Sequence, residues 1–539
     1  MEKEFSLTGN PWIDNGIVSF IDSIKAQPYV NVEGVLTFTY KLKIEDDKKE
    51  KFKTDLGSIL KSNLDNSYLL NKHFKVLINK KFMNSPPTGK DYTFSDDEIK
   101  VLKDFEKESK EKGKTINFNI KDKKANVKFS RSNAIAPLKD YSKEEITNII
   151  GSFISEIYSN GPKNKCPVCG SEVSKLVDLL QNLNPFTTKH HNKLRGYTGQ
   201  SSNEKGCSIC SLFGLVSTLD EYIPYTFVDV KNGTLNILPV VKDIEILEKI
   251  KKNLKISLKN LNNPDELNYV TNMKRRLSND KYSVMLGLYD QLVNKYSVDA
   301  ADIEKFEPLN KEDLSRVYRW VRFNIKSGQT YKMSSFSSIK PSDNLYDFVK
   351  EDYGIEPFND VFEKIRDFCA RNKKEILFEI FSKGLVTSDV DTISQFLFTA
   401  YKNRDENNTL YLSKEYFEGF YMYFKNLINK IYGDEKMDTN LIEDAKTFGI
   451  HMGKNLTRDI GLMTKLYNVT SKDDLSDVIK ESLMKMYKIG LKGEDLEIKE
   501  SRVTNIIGSL NEDNWKEIAN VIFIFAALRA INTKTKGGQ

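Results

Sequence analysis

Histidine and cysteine are scarce in this chain: its 539 residues include four of the first and five of the second. Five cysteines cannot staple so long a chain into a disulfide framework, so its stability has to come from buried apolar surface. The four histidines, His73, His190, His191 and His451, supply no His-Asp pair of a metal phosphohydrolase, no HExxH helix and no evident triad partners. Neither a GxxxxGKS/T loop nor GxGxxG is present, which removes two common phosphate-cradling motifs. No run of about 18 apolar residues occurs, the length that crosses a bilayer. The nearest, Val521 to Leu528, is expected as a helix buried in protein. The opening residues, MEKEFSLTG, lack the charged head, apolar stretch and cleavage site of an export signal. The expectation is a cytoplasmic protein with reduced thiols and no membrane partner. Charge of one sign is also missing: 82 basic residues stand against 76 acidic ones, so any nucleic-acid surface must come from local segregation.

Segregation is present. Residues 161–210 hold seven Lys or Arg against three Asp or Glu, and Lys121 to Arg131 holds five against one. A solvated face explains any one such run, while Lys128 and Arg131 are candidates for phosphate contact.

The length predicts two or three domains. Leu36 to Ile44 alternates apolar with polar residues, the period of a half-buried strand, with Leu36, Phe38, Tyr40, Leu42 and Ile44 inward. Ile116 to Phe129 reads as a strand, a charged turn and a returning strand. In FVDVKNGTLNIL, Asn232-Gly233 is expected to form a two-residue primed turn. These segments make at least one antiparallel sheet. From about residue 242 the spacing turns helical. Asp313 to Phe323 is expected as a helix carrying Arg316, Arg319 and Arg322 on one face beside Trp320 and Phe323, suited to phosphate and bases; a solvated Arg edge beside a core Trp is the plain alternative. Ser471 and Asp474 have capping-box spacing ahead of a stripe of Leu475, Val478, Ile479, Leu483 and Met486. Leu441, Ala445, Phe448, Met452 and Leu456 form a second stripe, in which Gly449 and Gly453 imply a closely approaching backbone.

The expected class is therefore α+β: a mixed domain over residues 1–355 with an antiparallel sheet and a four-cysteine zinc-knuckle insertion at about 160–215, then an all-α bundle over 356–539 with its core at about 410–533.

Four of the five cysteines fall into two CxxC units, Cys166 with Cys169 and Cys207 with Cys210. Two such knuckles, separated by any length of loop, bring four thiolates to one tetrahedral Zn²⁺. Gly170 follows the first and Gly206 precedes the second, as tight ligand turns require. Four sulfurs close the coordination shell, so the zinc is expected to be structural, with a mixed site using His190 or His191 as the alternative.

Leu7 to Phe20, LTGNPWIDNGIVSF, reads as a Gly-Asn-Pro turn followed by a helix capped by Asp14, with Ile13, Ile17, Ile21 and Ile24 along one stripe. This opening, two widely spaced CxxC pairs and a helical last third resemble the CXXC-CXXC family of CRISPR-associated proteins, the large subunit of a type I-B Cascade. The N-terminal signature and the cysteine quartet carry the resemblance; over the rest it is one of length and architecture. It implies a non-enzymatic subunit that contacts the CRISPR RNA 5′ handle, recognises the protospacer-adjacent motif in target double-stranded DNA, supports duplex opening and R-loop formation, binds the backbone and small subunits, and recruits a separate helicase-nuclease. Lys189, His190, Lys193 and Arg195, in the loop between the knuckles, are then candidates for phosphate or base contact on charge and placement. A zinc-dependent nucleic-acid-processing enzyme and a zinc-stabilised scaffold without nucleic-acid contact are the competing readings.

Overall fold

A computed structural model describes residues 2–36, 38–66, 92–93, 120–121, 124–125, 143–159, 164–179, 205–219, 226–229, 233–258, 282–294, 304–326, 332–350, 375–402, 414–433, 437–489 and 500–531, with Lys103, Lys107, Gly161, Asn184, Ile365 and Cys369 besides. The chain divides into two compact units: Met1–Tyr269, Met273–Asn279 and Val298–Lys340 form the first, and Val270–Asn272, Asp280–Ser297 and Pro341–Gln539 the second.

The first unit opens with β1 (Glu2–Ser6) and α1 (Pro11–Ile24). Asn10 is the cap of α1: its side chain accepts from the Trp12 and Ile13 amides, and Pro11 takes the first helical position, where a missing N–H costs nothing. The cap expected at Asp14 is therefore misplaced. Asp14 faces backward, accepting from Thr8 N at 2.6 Å, Thr8 Oγ1 at 2.8 Å and Gly9 N at 3.1 Å, and so ties down the turn in which Gly9 takes φ +76°. The predicted stripe is as read, with Ile13, Ile17, Ile21 and Ile24 all at most 1% exposed.

Burial pushes the Asp14 carboxyl up to about 6 despite those hydrogen bonds. The folded chain thus holds this proton more tightly than the unfolded one, and Asp14 lowers stability as pH rises from about 4 to about 6. Asp14→Asn is expected to flatten that fall. Urea unfolding of both forms across the interval measures it; parallel profiles would mean that Asp14 ionises like an exposed carboxylate.

β2 (Val30–Leu36) and β3 (Thr39–Ile44) pair antiparallel, and β3 also pairs with β1. The strand expected over Leu36 to Ile44 is thus broken by a turn. Tyr40, Leu42 and Ile44 face the core, but Phe38 stands in the turn, 43% exposed. Then come α2 (Lys49–Asn66), β4 (Tyr92–Thr93), β5 (Ile120–Lys121) and β6 (Lys124–Ala125), where β5 and β6 pair as the charged turn predicts. Ile116, Phe118, Val127 and Phe129 lie outside the described residues.

Next follow α3 (Lys143–Ile157), β7 (Asn164–Lys165), β8 (Glu172–Val173), β9 (Leu176–Asp178), β10 (Lys205–Cys207) and α4 (Ser208–Leu219). β11 (Thr226–Asp229) and β12 (Gly233–Val241) form the expected hairpin, but Asp229 pairs with Gly233, so Gly233 belongs to the strand and not to a two-residue turn. After α5 (Ile244–Leu258) the chain places α6 (Tyr282–Val293) in the second unit, and returns with α7 (Lys311–Ser315), β13 (Val317–Lys326) and β14 (Lys332–Ile339).

These last elements correct the helix expected over Asp313 to Phe323: only the α7 turn is helical, and β13 pairs with β12 and β14 in a four-stranded antiparallel sheet. A strand with both faces covered has no period of two. In β13 Trp320, Val321, Arg322 and Phe323 are consecutively buried, and the apolar residues of that run, no longer alternating, imitate helical spacing. Pro239 sits in β12 beyond the last β11 partner, Asn236, where its missing N–H leaves no ladder bond unmade.

The core of the first unit gathers on α1 and α4. Phe5, Phe20 and Phe213 meet edge to face or tilted at 5.3–6.1 Å, and Phe153 of α3 joins Phe20 at 5.4 Å. A Cβ on Gly16 would lie 2.1 Å from the Phe213 carbonyl oxygen, so only glycine lets α1 and α4 approach this closely.

The described elements of the second unit are all helical: α6, α8 (Asn344–Lys350), α9 (Glu375–Thr387), α10 (Val390–Lys402), α11 (Lys414–Tyr432), α12 (Thr439–Asn455), α13 (Ile460–Tyr467), α14 (Lys472–Lys488), α15 (Glu500–Ser509) and α16 (Trp515–Ile531). α16 is the expected apolar helix, buried continuously from Val521 to Leu528. α12 lays Leu441, Ala445, Phe448 and Met452 into the core, and its glycines meet the α16 backbone as their spacing implies. Ser471 caps α14 through the Asp474 amide at 3.1 Å, while the Asp474 carboxylate takes Thr470 N and Oγ1, one residue before the expected partner. On α14 Leu475, Val478, Ile479 and Met486 are buried, whereas Leu483 is half-buried.

Candidate metal centre

The β7–β8 hairpin presents the first CxxC at its tip. Cys166 N donates to Ser171 O and Gly170 N donates to Cys166 O, both at 2.9 Å, closing a tight knuckle. Gly170 takes φ +72° there, a conformation that a side chain would strain. The second CxxC spans the end of β10 and the first turn of α4. Cys207 directly precedes the helix, and its Sγ accepts from Cys210 N at 3.3 Å, as a capping side chain does. Gly206 serves space rather than turning: a Cβ there would lie 2.6 Å from the Leu179 side chain.

Together the elements bring Cys166, Cys169, Cys207 and Cys210 into one cluster whose four sulfurs lie within 4.8 Å of one another. Cys169 and Cys207 Sγ are 3.8 Å apart. Metal–sulfur bonds of about 2.3 Å in a tetrahedron place ligand sulfurs about 3.8 Å apart, so the Cys169–Cys207 pair already has the spacing of two ligands on one ion. Cys166, Cys207 and Cys210 are buried and Cys169 is half-buried. Hydrogen bonding from Cys169, Cys207 and Cys210 holds the Cys166 thiol well below its ordinary value, while Cys166 and Cys169 push Cys207 and Cys210 far above theirs. Sulfurs this close cannot all be anionic unless a cation sits among them. The positive end of α4, opening at Ser208, adds to the stabilisation of thiolate at Cys207 and Cys210. The fifth cysteine, Cys369, is no part of the cluster; burial pushes its thiol up to about 12.

The scaffold under the second knuckle is built by the N-terminal signature. Trp12 Nε1 donates to Gly214 O at 3.3 Å and Ser217 Oγ donates to Trp12 O at 2.5 Å. Asn15 donates to Ser217 Oγ at 2.9 Å and accepts from the buried Lys251 Nζ at 2.9 Å; Lys251 also bonds Ser19. With Gly16 on the Phe213 backbone, Trp12, Asn15 and Gly16 of WIDNG all seat on α4, the helix that carries Cys210. The two motifs that stand about 200 residues apart in sequence are one structural assembly.

The other candidate residues are dispersed. Arg316 ends α7 among carboxylates, 3.1 Å from Glu312, 3.7 Å from Asp243 and 3.8 Å from Glu245, which accounts for its position structurally. Arg319 is exposed on β13, its guanidinium over the Tyr318 ring at 5.9 Å. Arg322, three residues on in the strand, is buried, so the three arginines share no face. Lys189, His190, Lys193, Arg195, Lys128 and Arg131 lie outside the described residues, as does His191. Glu156 of α3 went unread in the sequence. It is 5% exposed, and its carboxylate accepts from Ser174 N at 2.8 Å and Ser174 Oγ at 2.5 Å, just past the first knuckle; an isolated Glu in an amphipathic helix carries no signal of this role.

No helix among the described residues is long and apolar enough to cross a membrane. No family model matches the chain, and no curated protein or solved structure is significantly similar to it.

Proposed function

We propose that this chain is the large subunit of an RNA-guided type I Cascade, in which a structural Zn²⁺ held by Cys166, Cys169, Cys207 and Cys210 anchors both ends of a basic recognition loop. The observation that carries this reading is the convergence just described: the signature helix and the second CxxC, on which the resemblance rests, pack as a single body. Four thiolates saturate a tetrahedral ion, so the zinc supplies rigidity rather than a site for water or substrate. This chain's residues do the rest. β9, after the β7–β8 hairpin, and β10, ahead of α4, bracket residues 180–204, and Lys189, His190, Lys193 and Arg195 in that stretch meet phosphate or base edges of the target duplex next to the protospacer-adjacent motif. The role is non-catalytic. Cleavage belongs to a separate helicase-nuclease, and the guide is the CRISPR RNA, bound through its 5′ handle alongside the backbone and small subunits.

The test is Lys193→Glu with Arg195→Glu in the assembled complex. Binding to duplex bearing the motif is expected to weaken, and the slope of log affinity against log salt to fall by about 2, one contact for each cation lost. The melting temperature of the chain stays unchanged. Motif-dependent binding with an intact salt slope would remove the loop from the interface. A chain that neither co-purifies with guide RNA nor crosslinks to target would overturn the Cascade reading itself. Metal-dependent turnover of nucleic acid by the isolated chain, abolished at His190 or His191, would establish the enzymatic alternative.

A further inference from the structure

We propose that Glu156 is a positioning residue of the metal centre, setting the first knuckle against the second before an ion binds. The inference rests on the reading of the four cysteines as a metal site.

Besides Glu156, Asn164 ties the β7–β8 hairpin to Ser174, its Nδ2 donating to Ser174 O at 3.1 Å. Of the four strand residues in the β7–β8 hairpin, Asn164, Lys165 and Glu172 are exposed and Val173 alone is buried. An isolated two-stranded hairpin is at best marginally stable in water. Ser174 is the joint that follows. On one side of it stands the hairpin with Cys166 and Cys169. On the other, after Lys175, β9 pairs with β10, in the register Leu176 to Cys207. The angle taken at Ser174 therefore decides whether the first pair of sulfurs meets the second.

Glu156 grips this joint by two bonds at once, one to the backbone amide and one to the hydroxyl. A carboxylate receiving two donors from one residue fixes direction as well as distance. Its own position is rigid, because α3 packs Ile150, Phe153 and Ile154 into the core and contacts α4. Glu156 thus links the helix layer that carries Cys210 to the joint that aims Cys166 and Cys169. Residues that orient ligands without touching the ion lower metal affinity by about 10- to 100-fold when lost.

The experiment measures Co²⁺ and Zn²⁺ affinity of the full chain by competition with a chromophoric chelator, for the wild type, Glu156→Gln and Ser174→Ala. Ser174→Ala removes only the hydroxyl bond and guards against failure of the first variant to fold. Ile150→Val, a change in the same helix away from the joint, controls for general loss of stability. Glu156→Gln is expected to weaken binding by about 10-fold or more and Ser174→Ala by less, with the four-sulfur Co²⁺ spectrum retained in both and the affinity of Ile150→Val unchanged. Affinities of Glu156→Gln and Ser174→Ala within about twofold of wild type, or an equal loss in Ile150→Val, would overturn the role of Glu156. A wild-type chain that gives no four-sulfur Co²⁺ spectrum would instead overturn the metal site on which the role rests.

Discussion

Stripping the metal from the four-cysteine cluster is expected to lower the stability of the first unit by about 4 kcal/mol or more, the linkage value for an ion held at about a thousand times its dissociation constant. The reason lies in the sulfurs' own electrostatics. With no cation, Cys207 and Cys210 are driven toward neutral thiols and Cys166 toward thiolate, so the cage keeps its shape only by partial protonation. The hairpin that carries two of the ligands has one buried strand residue, Val173, and cannot stand by itself. Cys210→Ser is expected to act in the same direction and to reduce bound metal from one ion per chain to a weakly held fraction, since three thiolates leave an open coordination position. Elemental analysis of the purified chain, and melting curves with and without a strong chelator, measure both effects. Acidification is expected to release the ion, because each ligand sulfur must lose a proton to bind. Identical melts for metal-loaded and chelated protein would show that the cysteines are packing residues only.

The second large effect is expected in the helical unit. A Cβ on Gly449 would lie 2.4 Å from Ile522 O, and one on Gly453 would lie 2.2 Å from Ala526 O. The obstacles are backbone atoms of α16 within its continuously buried stretch, Val521 to Leu528, so no side chain can swing aside to relieve the overlap. α12 would have to move away, and the contacts of Phe448 and Met452 with it. Gly453→Val is expected to cost about 3 kcal/mol or more, at or above the usual range for overpacked cores, and Gly449→Val a similar amount. Gly508→Ala in α15, where a Cβ meets nothing within 4 Å, is expected to be stabilising by about 0.5–1 kcal/mol, because alanine loses less backbone freedom than glycine in a helix. Denaturant unfolding of the three variants checks the opposite signs. A neutral Gly453→Val would mean that the two helices are not in backbone contact.

Those glycines illustrate what a sequence does show. Spacing four apart on an amphipathic helix, against the local preference for alanine, already implied a neighbouring backbone; it did not say which. The same holds for the four cysteines, whose chemistry and pairing announce a shared site, and for the stripes of α1, α12 and α14, where one buried face writes its period into the chain. Errors arose where period misleads. β13 is covered on both faces, so its apolar residues run together and imitate a helix. The alternation from Leu36 to Ile44 passes unbroken through a turn at Phe38, because an exposed phenylalanine looks no different from a buried one. Asp14 has the right chemistry for a cap, but Asn10, ahead of Pro11, occupies the position that receives the amides.

Local residue chemistry therefore determined by itself that this chain has a four-cysteine cluster, an apolar helix at Val521 to Leu528, an antiparallel hairpin within residues 227–238 and a glycine-lined helix contact. Only the tertiary structure decided that Trp12, Asn15 and Gly16 seat on the helix of Cys210, that Glu156 holds the joint at Ser174, and that α6 belongs to the second unit while its sequence neighbours belong to the first. Periodicity and motif spacing report how a segment meets its own surroundings within a few turns. Which segment supplies those surroundings, across 202 residues between Asn15 and Ser217, depends on the shape and hydrogen-bonding of surfaces that exist only once the chain has folded.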